Sequence, residues 1–254
     1  MKKICAMKLK DRFLQLDKHG KINLILYVLV VASMAFPVIY LSIRLITGNL
    51  NVSQDAGENS LSSYILMIVE CILGIFVINV PSMLAKRFRF QLPIVLYSMF
   101  IVFLYCAVFL GEVRNFYYTV PFWDVILHAF SSLMLGFFGL MVIAILNHDE
   151  NIVLHLSPVF AVVFAFCFAV TFNTIWEIYE FTLDSIMELN MQKYIMADGT
   201  VLSGHAALID TMKDIIVDVC GALVAAVIGY FSIKNNRFWF IPRLTESEKD
   251  NPEK

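Results

Sequence analysis

Six long apolar runs constrain this chain more than any other feature of its sequence. Each run approaches or exceeds the roughly 20 residues that an α-helix needs to cross a bilayer. They cover residues 22–46, 61–80, 91–110, 120–146, 156–181 and 210–233. The chain is 59% hydrophobic and 16% charged, whereas a soluble domain is usually about 45–50% apolar and about 25% charged. The sequence therefore predicts an all-α, polytopic transmembrane helical bundle of about six spans in the plasma or inner membrane.

The basic residues predict how this bundle is oriented. Residues 1–21 form a basic leader, residues 22–233 the membrane domain, and residues 234–254 a charged tail. Because lysine and arginine are enriched in cytoplasmic loops, we expect the leader, the loop after span two and the tail on the cytoplasmic side. Both termini are then cytoplasmic. A cleaved signal peptide is the competing interpretation, but the first apolar run continues to Ile46, well beyond the small residues that could be cleaved.

Ionisable residues recur at one depth of the last three spans. They are Asp124 and His128 in span four, Glu177, Glu180 and Asp184 in span five, and Asp210, Asp214 and Asp218 in span six. Within each span the spacing is three or four residues, which places them on one helix face. Consecutive spans usually pack as neighbours. The sequence thus predicts a polar pocket in the extracytoplasmic half of the bundle.

Carboxylates so close together cannot all stay ionised without a cation. Some are protonated, paired with Arg114 or Arg44, or bound to a metal ion, and the sequence leaves these alternatives open. A histidine among carboxylates suits zinc, manganese or iron, while oxygen ligands alone suit magnesium or calcium. We expect a divalent metal ion of open identity. The predicted metal ligands are Asp124, His128, Asp210 and Asp214, and the predicted catalytic residues are Glu177 and Glu180.

Several of these residues also have a purely structural explanation. Asp124 and Asp184 suit helix ends in interfacial water, and His128 suits an interhelical hydrogen bond. Glu177 and Asp214 lie deeper, where an ionisable residue is costly without a function. An aromatic belt at the outer interface, rather than a ligand cage, is expected from Trp123, Trp176, Tyr117, Tyr118 and Tyr179. Close helix packing is expected at Gly136, Gly139 and Gly221.

Short motifs in the second half of the chain carry a family resemblance. Ser203-Gly204-His205 echoes the lipid-phosphate phosphatases, but Asp214 stands where their nucleophilic histidine should be. A better match is the series Trp123-Asp124-x-x-x-His128, Trp176-Glu177-x-x-Glu180 and Asp210-Thr211-x-x-Asp214, which resembles the YjdF-like family of bacterial inner-membrane proteins. The resemblance implies a multi-span membrane protein and no particular activity. The shared motif residues it implies are Asp124, His128, Glu177, Glu180, Asp210 and Asp214.

Three functional hypotheses follow from the predicted pocket. The first is a metal-dependent membrane hydrolase acting on a lipid-linked or extracytoplasmic small substrate, with a glutamate as general base. The second is a proton- or cation-coupled transporter, which is weakened because the inner halves of spans four to six are almost purely apolar. The third is a non-catalytic membrane assembly or partner protein whose acids only join helices. The lipid bilayer is the expected surrounding, and the net charge of -2 gives no indication of a nucleic-acid partner.

Overall fold

The computed structural model describes residues 18–49, 61–87, 90–148, 156–196, 199–235 and 243–244. The helices in these ranges are α1 (Lys18–Ile46), α2 (Leu61–Val77), α3 (Val80–Arg87), α4 (Ile94–Leu104), α5 (Phe116–Thr119), α6 (Trp123–His148), α7 (Pro158–Met187) and α8 (Ile209–Lys234). A π-helical segment, Tyr105–Val113, extends α4, and a short 3₁₀ turn, Ala206–Leu208, precedes α8. The strands β1 (Phe90–Gln91) and β2 (Arg243–Leu244) pair antiparallel. The predicted leader and tail lie almost entirely outside the described residues.

Six helical segments are long and apolar enough to cross a membrane. They are Gly20–Ile46, Leu61–Arg87, Ile94–Val113, Trp123–Asn147, Pro158–Met187 and Ala206–Lys234. The predicted all-α class with six candidate spans is therefore confirmed for the described part of the chain. The cytoplasmic placement of the termini stays a prediction.

The outer surfaces of these helices are apolar. Phe36 on α1 and Ile186 on α7, for example, are 69% and 73% exposed. Soluble monomers rarely expose large contiguous apolar patches, because water solvates them poorly. Surfaces of this kind suit contact with lipid chains, in agreement with a multi-pass membrane location.

The bundle contains two groups of helices. α6, α7 and α8 pack mutually and most extensively, while α1, α2 and α4 with its π-helical extension form a second group. Each group has its own core, the first around Leu140 and Ala165 and the second around Met34, Cys71 and Ile101.

One buried stripe along α7 changes chemistry halfway. Its members, spaced three or four residues apart, are Ala161, Ala165, Ala169, Asn173, Glu177, Glu180 and Asp184. The buried stripe of α8 also divides, with Asp214 and Asp218 at one end and alanine and glycine at the other. Because α7 and α8 run in opposite directions, the polar ends meet and the small-residue ends meet. The fold thus has a tightly packed apolar half and a polar half.

Glycine and alanine bring α6 close to its neighbours in the apolar half. A Cβ atom at Gly136 would collide with the Cβ of Ala225, and one at Gly139 would lie 2.8 Å from the Cα of Ala165. Small residues permit such close approach of helices in membranes. The geometry matches the packing role expected for these two glycines. The close contacts hold the three helices in the register that brings their acids together.

The last turns of α7 extend beyond the predicted end of span five at residue 181. The helix continues to Met187 and ends where Glu188 adopts a left-handed conformation, with φ of 55°. Polar residues lower the hydropathy of these turns, although nothing in the sequence stops the helix there. Asp184 accepts hydrogen bonds from the backbone amides of Met191 (2.8 Å) and Gln192 (2.9 Å). These bonds fold the following loop back over the polar half.

Candidate functional site

His128 lies at the centre of the polar half. Its Nδ1 atom is 3.1 Å from Oδ2 of Asp218 on α8. Its Nε2 atom is 3.7 Å from Oδ1 of Asp124, one turn earlier on α6, and 3.8 Å from Oε1 of Glu177 on α7. Three helices therefore supply carboxylates to the two ring nitrogens of one histidine.

The side chains around His128 form two overlapping sets of metal-ligand type. One set is Asp124, His128 and Asp214, and the other is His128, Glu177 and Asp218. Within each set, one ligand atom from every residue lies within 4.8 Å of the others. We call the five residues together the His128 cluster.

The carboxylates of the His128 cluster are buried and incompletely paired. Glu177, Asp214 and Asp218 are only 4%, 1% and 2% exposed. Among the described residues, both oxygens of Glu177 and Oδ1 of Asp214 and of Asp218 have no hydrogen-bond partner. A buried polar atom without a partner usually costs about 1–3 kcal/mol, and more when it is charged. The cluster therefore requires either protons or a bound cation.

Serine and asparagine form the floor of the cluster. The hydroxyl of Ser132 donates to the backbone carbonyl of Asp218. Ser131 donates to the carbonyl of His128 (2.9 Å) and its hydroxyl lies 3.3 Å from Oδ1 of Asn173. A Cβ atom at Gly221 would lie 3.0 Å from the Cβ of Ser132, so this glycine also permits the close α6–α8 contact. These contacts hold the backbone of α6 beside that of α8 and thereby place His128 next to Asp218.

Lys193, in the loop after α7, supplies the ammonium group at the outer edge of the cluster. Its Nζ atom bonds to Asp124 and lies 3.4 Å from Oδ2 of Asp210. Burial alone would lower the pKa of Lys193, but the charges of Asp124 and Asp210 raise it above its ordinary value. The same loop is tied to α8 by Gln192, whose side-chain amide donates to the hydroxyl of Thr211 (2.8 Å).

Arg44, one of the two arginines that the sequence suggested as partners of the acids, has other hydrogen-bond partners. Its guanidinium donates to the carbonyl of Asn49 and to the hydroxyl of Tyr40 (2.8 Å). Arg44 belongs to the end of α1, and α1 packs in the other helix group. Sequence reasoning missed Lys193 because the course of a long loop has no periodic signal.

A cavity of about 240 Å³ adjoins the cluster on the side of the first helix group. Its wall is built from α2, the end of the π-helical segment, α5, the first turn of α6, α7 and the loop containing Lys193. Asp124 belongs both to this wall and to the His128 cluster. Three of the aromatic side chains expected in an interfacial belt also line the cavity, namely Tyr117, Tyr118 and Trp176; their position at the interface stays a prediction.

The structure separates the predicted site residues into three locations. Asp124, His128, Asp214 and Glu177 come together in the His128 cluster. Asp210 pairs with Lys193 at the edge. Glu180 lies against the cavity, where its Oε1 atom accepts a hydrogen bond from Nε1 of Trp176 (2.9 Å). Asp218 belonged to the predicted polar pocket by its four-residue spacing from Asp214, but it was not among the predicted metal ligands.

We expect Lys193→Met to destabilise the protein in a pH-dependent way. The raised pKa means that the stabilising contribution of Lys193 is fully present below its unfolded value of about 10.4 and is lost as pH rises through the folded value. The difference in thermal stability between wild type and Lys193→Met should therefore be constant from about pH 7 to 9 and shrink above about 10.4. Thermal unfolding across this range measures it. Lys213→Met, at an exposed position on α8, is the control, and equal behaviour of the two variants would contradict the assignment.

Six membrane-crossing helices with an internal histidine–carboxylate cluster define a polytopic helical membrane protein that carries a polar site near one end of its bundle. The sequence profile of the family described as "Predicted membrane protein (DUF2238)" matches residues 22–235. The chain belongs to this family. The YjdF-like resemblance agrees with that assignment only in its general features and stays a resemblance.

A relative from Thermotoga maritima, described as an uncharacterized protein, is 34% identical over 135 residues. The alignment covers 53% of this chain and 60% of the relative. No solved structure matches the chain.

Proposed function

We propose that the protein is a metal-dependent membrane hydrolase with a divalent cation in the His128 cluster. The observation that carries the proposal is the set of buried oxygens of Glu177, Asp214 and Asp218 that lack hydrogen-bond partners among the described residues and surround a histidine. One cation would satisfy these oxygens together. Protonation alone would leave three neutral acids and an imidazole buried side by side with no functional role. Mixed nitrogen and oxygen donors favour zinc, manganese or iron over magnesium or calcium.

The geometry favours Nε2 of His128 as the ligand atom. Nδ1 makes the shorter contact, to Asp218, and a metal-binding histidine usually donates its other ring N–H to a carboxylate that orients it. Asp124, Glu177 and Asp214 are then the oxygen ligands that we propose. Asp210 is left out because, among the described residues, the sets of ligand atoms close enough to share one ion contain Asp124 and Asp214 but not Asp210.

The cavity provides the reason to propose an enzyme. A bound divalent ion in this site would supply Lewis-acid activation of water or of a substrate oxygen. Asp124 connects the cluster to a cavity large enough for a small substrate group, and Glu180 faces that cavity. Glu180 is placed to accept a proton as general base. The predicted extracytoplasmic position of the pocket favours a lipid-linked or small extracytoplasmic substrate.

The opposite half of the bundle supports an enzyme over a carrier. Transport requires a polar route through the membrane, but α6, α7 and α8 close together there through glycine and alanine. Buried Ala165, Ala222 and Ala225 occupy the positions that follow the polar stripe. A carrier would have to separate helices that pack at backbone contact.

Metal analysis of the purified protein tests the proposal. After equilibration with zinc or manganese and removal of free ion, we expect about one ion per wild-type chain. Glu177→Gln and Asp214→Asn each remove a charged ligand and should lower metal affinity at least about tenfold. Glu188→Gln is the control, because Glu188 is an exposed acid at the end of α7 and lies outside the metal-ligand sets of the described residues. It should bind metal like the wild type.

Two results would overturn the proposal. One is a folded wild-type protein that retains no divalent ion under these conditions. The other is wild-type uptake of protons or cations into proteoliposomes that both variants abolish, which would identify a carrier.

A further inference from the structure

The cavity beside the His128 cluster has a charge imbalance of its own. Three carboxylates line it, from Glu112, Asp124 and Glu180, against one ammonium, from Lys193. Lys193 is already paired with Asp124 and with Asp210 outside the cavity. In the part of the chain that the structure describes, neither Glu112 nor Glu180 is in an ion pair.

Glu180 lies in the wall of this cavity. Its side chain is only 8% exposed, and Trp176 donates to Oε1. Glu70 on α2 is close enough for the charges of Glu112 and Glu180 to act on it. Acids from both helix groups thus gather around the cavity, and a cation bound there would favour their charged forms.

The spacing of these acids argues against a second metal ion. Within the described residues, the metal-ligand sets contain neither Glu112 nor Glu180 nor Glu70, so no three ligand atoms from them lie close enough to hold one small cation. A polyatomic cation can bridge more widely separated carboxylates.

Aromatic rings supply the remaining part of the cavity wall. They come from Tyr64, Tyr117, Tyr118 and Trp176. Burial raises the pKa of Tyr117 above its ordinary value, and the charge of Glu112 raises it further, so this phenol stays neutral. Aromatic faces attract cations, and aromatic walls combined with carboxylates are the usual surroundings of bound quaternary ammonium groups.

We propose that this cavity binds an organic ammonium group, held between Glu112 and Glu180 and against the rings of Tyr117 and Trp176. The group belongs either to a free small amine or to a lipid headgroup, which share this chemistry. The assignment rests on the proposed function in one respect, since it names the substrate class that would meet the His128 cluster at Asp124. Binding itself needs only the cavity.

Equilibrium dialysis of labelled choline against the full-length protein in detergent tests the proposal. We expect saturable binding that the neutral carbon isostere of choline, with a tert-butyl group in place of trimethylammonium, does not displace. Glu180→Gln and Glu112→Gln should each weaken binding at least about tenfold, the usual effect of losing one charge-assisted contact. Glu188→Gln, an exposed acid that is not in the cavity wall, should bind like the wild type.

The same measurement with and without chelator separates this proposal from the metal site. Choline binding that survives chelation and the loss of Asp214 supports the cavity even if no metal is found in the cluster. Choline binding that is absent, equal for the neutral isostere, or unchanged in folded Glu180→Gln and Glu112→Gln overturns the ammonium site whatever the metal analysis gives.

Nanodiscs identify the source of the ammonium group. If a headgroup is the natural ligand, discs with phosphatidylethanolamine should reduce choline binding relative to discs of phosphatidylglycerol alone. If a free amine is the ligand, the two lipids should give the same choline affinity. Either result is consistent with binding of an organic ammonium group in the cavity.

Discussion

The His128→Ala variant is expected to lose the stabilisation that a divalent ion gives to the wild-type protein. A ligand at a concentration 100 times its Kd stabilises the folded state by about 2.7 kcal/mol. Because His128 is the nitrogen donor of the proposed site and the centre of all its carboxylate contacts, its removal should abolish nearly all of this gain. Thermal unfolding with and without added zinc or manganese measures it, and only the metal-dependent difference is compared.

Asp218→Asn should give an intermediate result. Asp218 is proposed to orient His128 through Nδ1 rather than to bind the ion, and loss of such an orienting carboxylate typically lowers metal affinity about 10–100-fold. A metal-dependent gain that is reduced but measurable would fit this positioning role. A His128→Ala variant with the full wild-type gain would contradict the placement of the ion at His128.

The Gly139→Val variant is expected to disrupt the α6–α7–α8 unit. A Cβ atom at this position would lie 2.8 Å from the Cα and 3.2 Å from the Cβ of Ala165. Neither atom can move away without shifting α7, since both are fixed to the backbone. Overpacking typically costs about 1–3 kcal/mol, and valine adds two further methyl groups, so we expect a loss at or above the upper end of that range. The measurement is thermal stability together with the fraction that elutes as a monodisperse species.

Cys167→Val is the matched control for this substitution. Cys167 lies on α7 two residues after Ala165 but is exposed on the outer surface, where a valine should be tolerated. Gly139→Val should also weaken metal binding, because the register of α6 and α7 sets the distance between His128 and Glu177. If Gly139→Val is as stable as Cys167→Val, the close packing described for the apolar half is contradicted.

Sequence periodicity predicted most of the cluster because helix geometry is local. Residues four apart share a face whatever the rest of the protein does, so Asp124 with His128, and Glu177 with Glu180, could be assigned to common faces. The division of the α8 stripe could not be predicted in this way. Asp210 and Asp218 are equivalent by spacing, yet the first meets Lys193 and the second meets His128.

Contacts made by loops and by the π-helical segment left no comparable pattern in the sequence. Lys193 reaches the site through a loop held by Asp184 and Gln192, and Glu112 reaches the cavity from a π-helical segment that no hydrophobic pattern indicates. Such segments are rare and frequently occur at functional sites.

By itself the sequence determined that this chain is a bundle of membrane-crossing helices with one acidic end, since apolar length and residue spacing act along a single helix. Tertiary structure alone decided which acids surround His128, which one pairs with Lys193, and that a cavity opens beside Asp124. Those outcomes depend on how closely three helices approach through Gly136, Gly139 and their alanine partners. That approach is a relation between distant segments, which the spacing of residues within one helix does not encode.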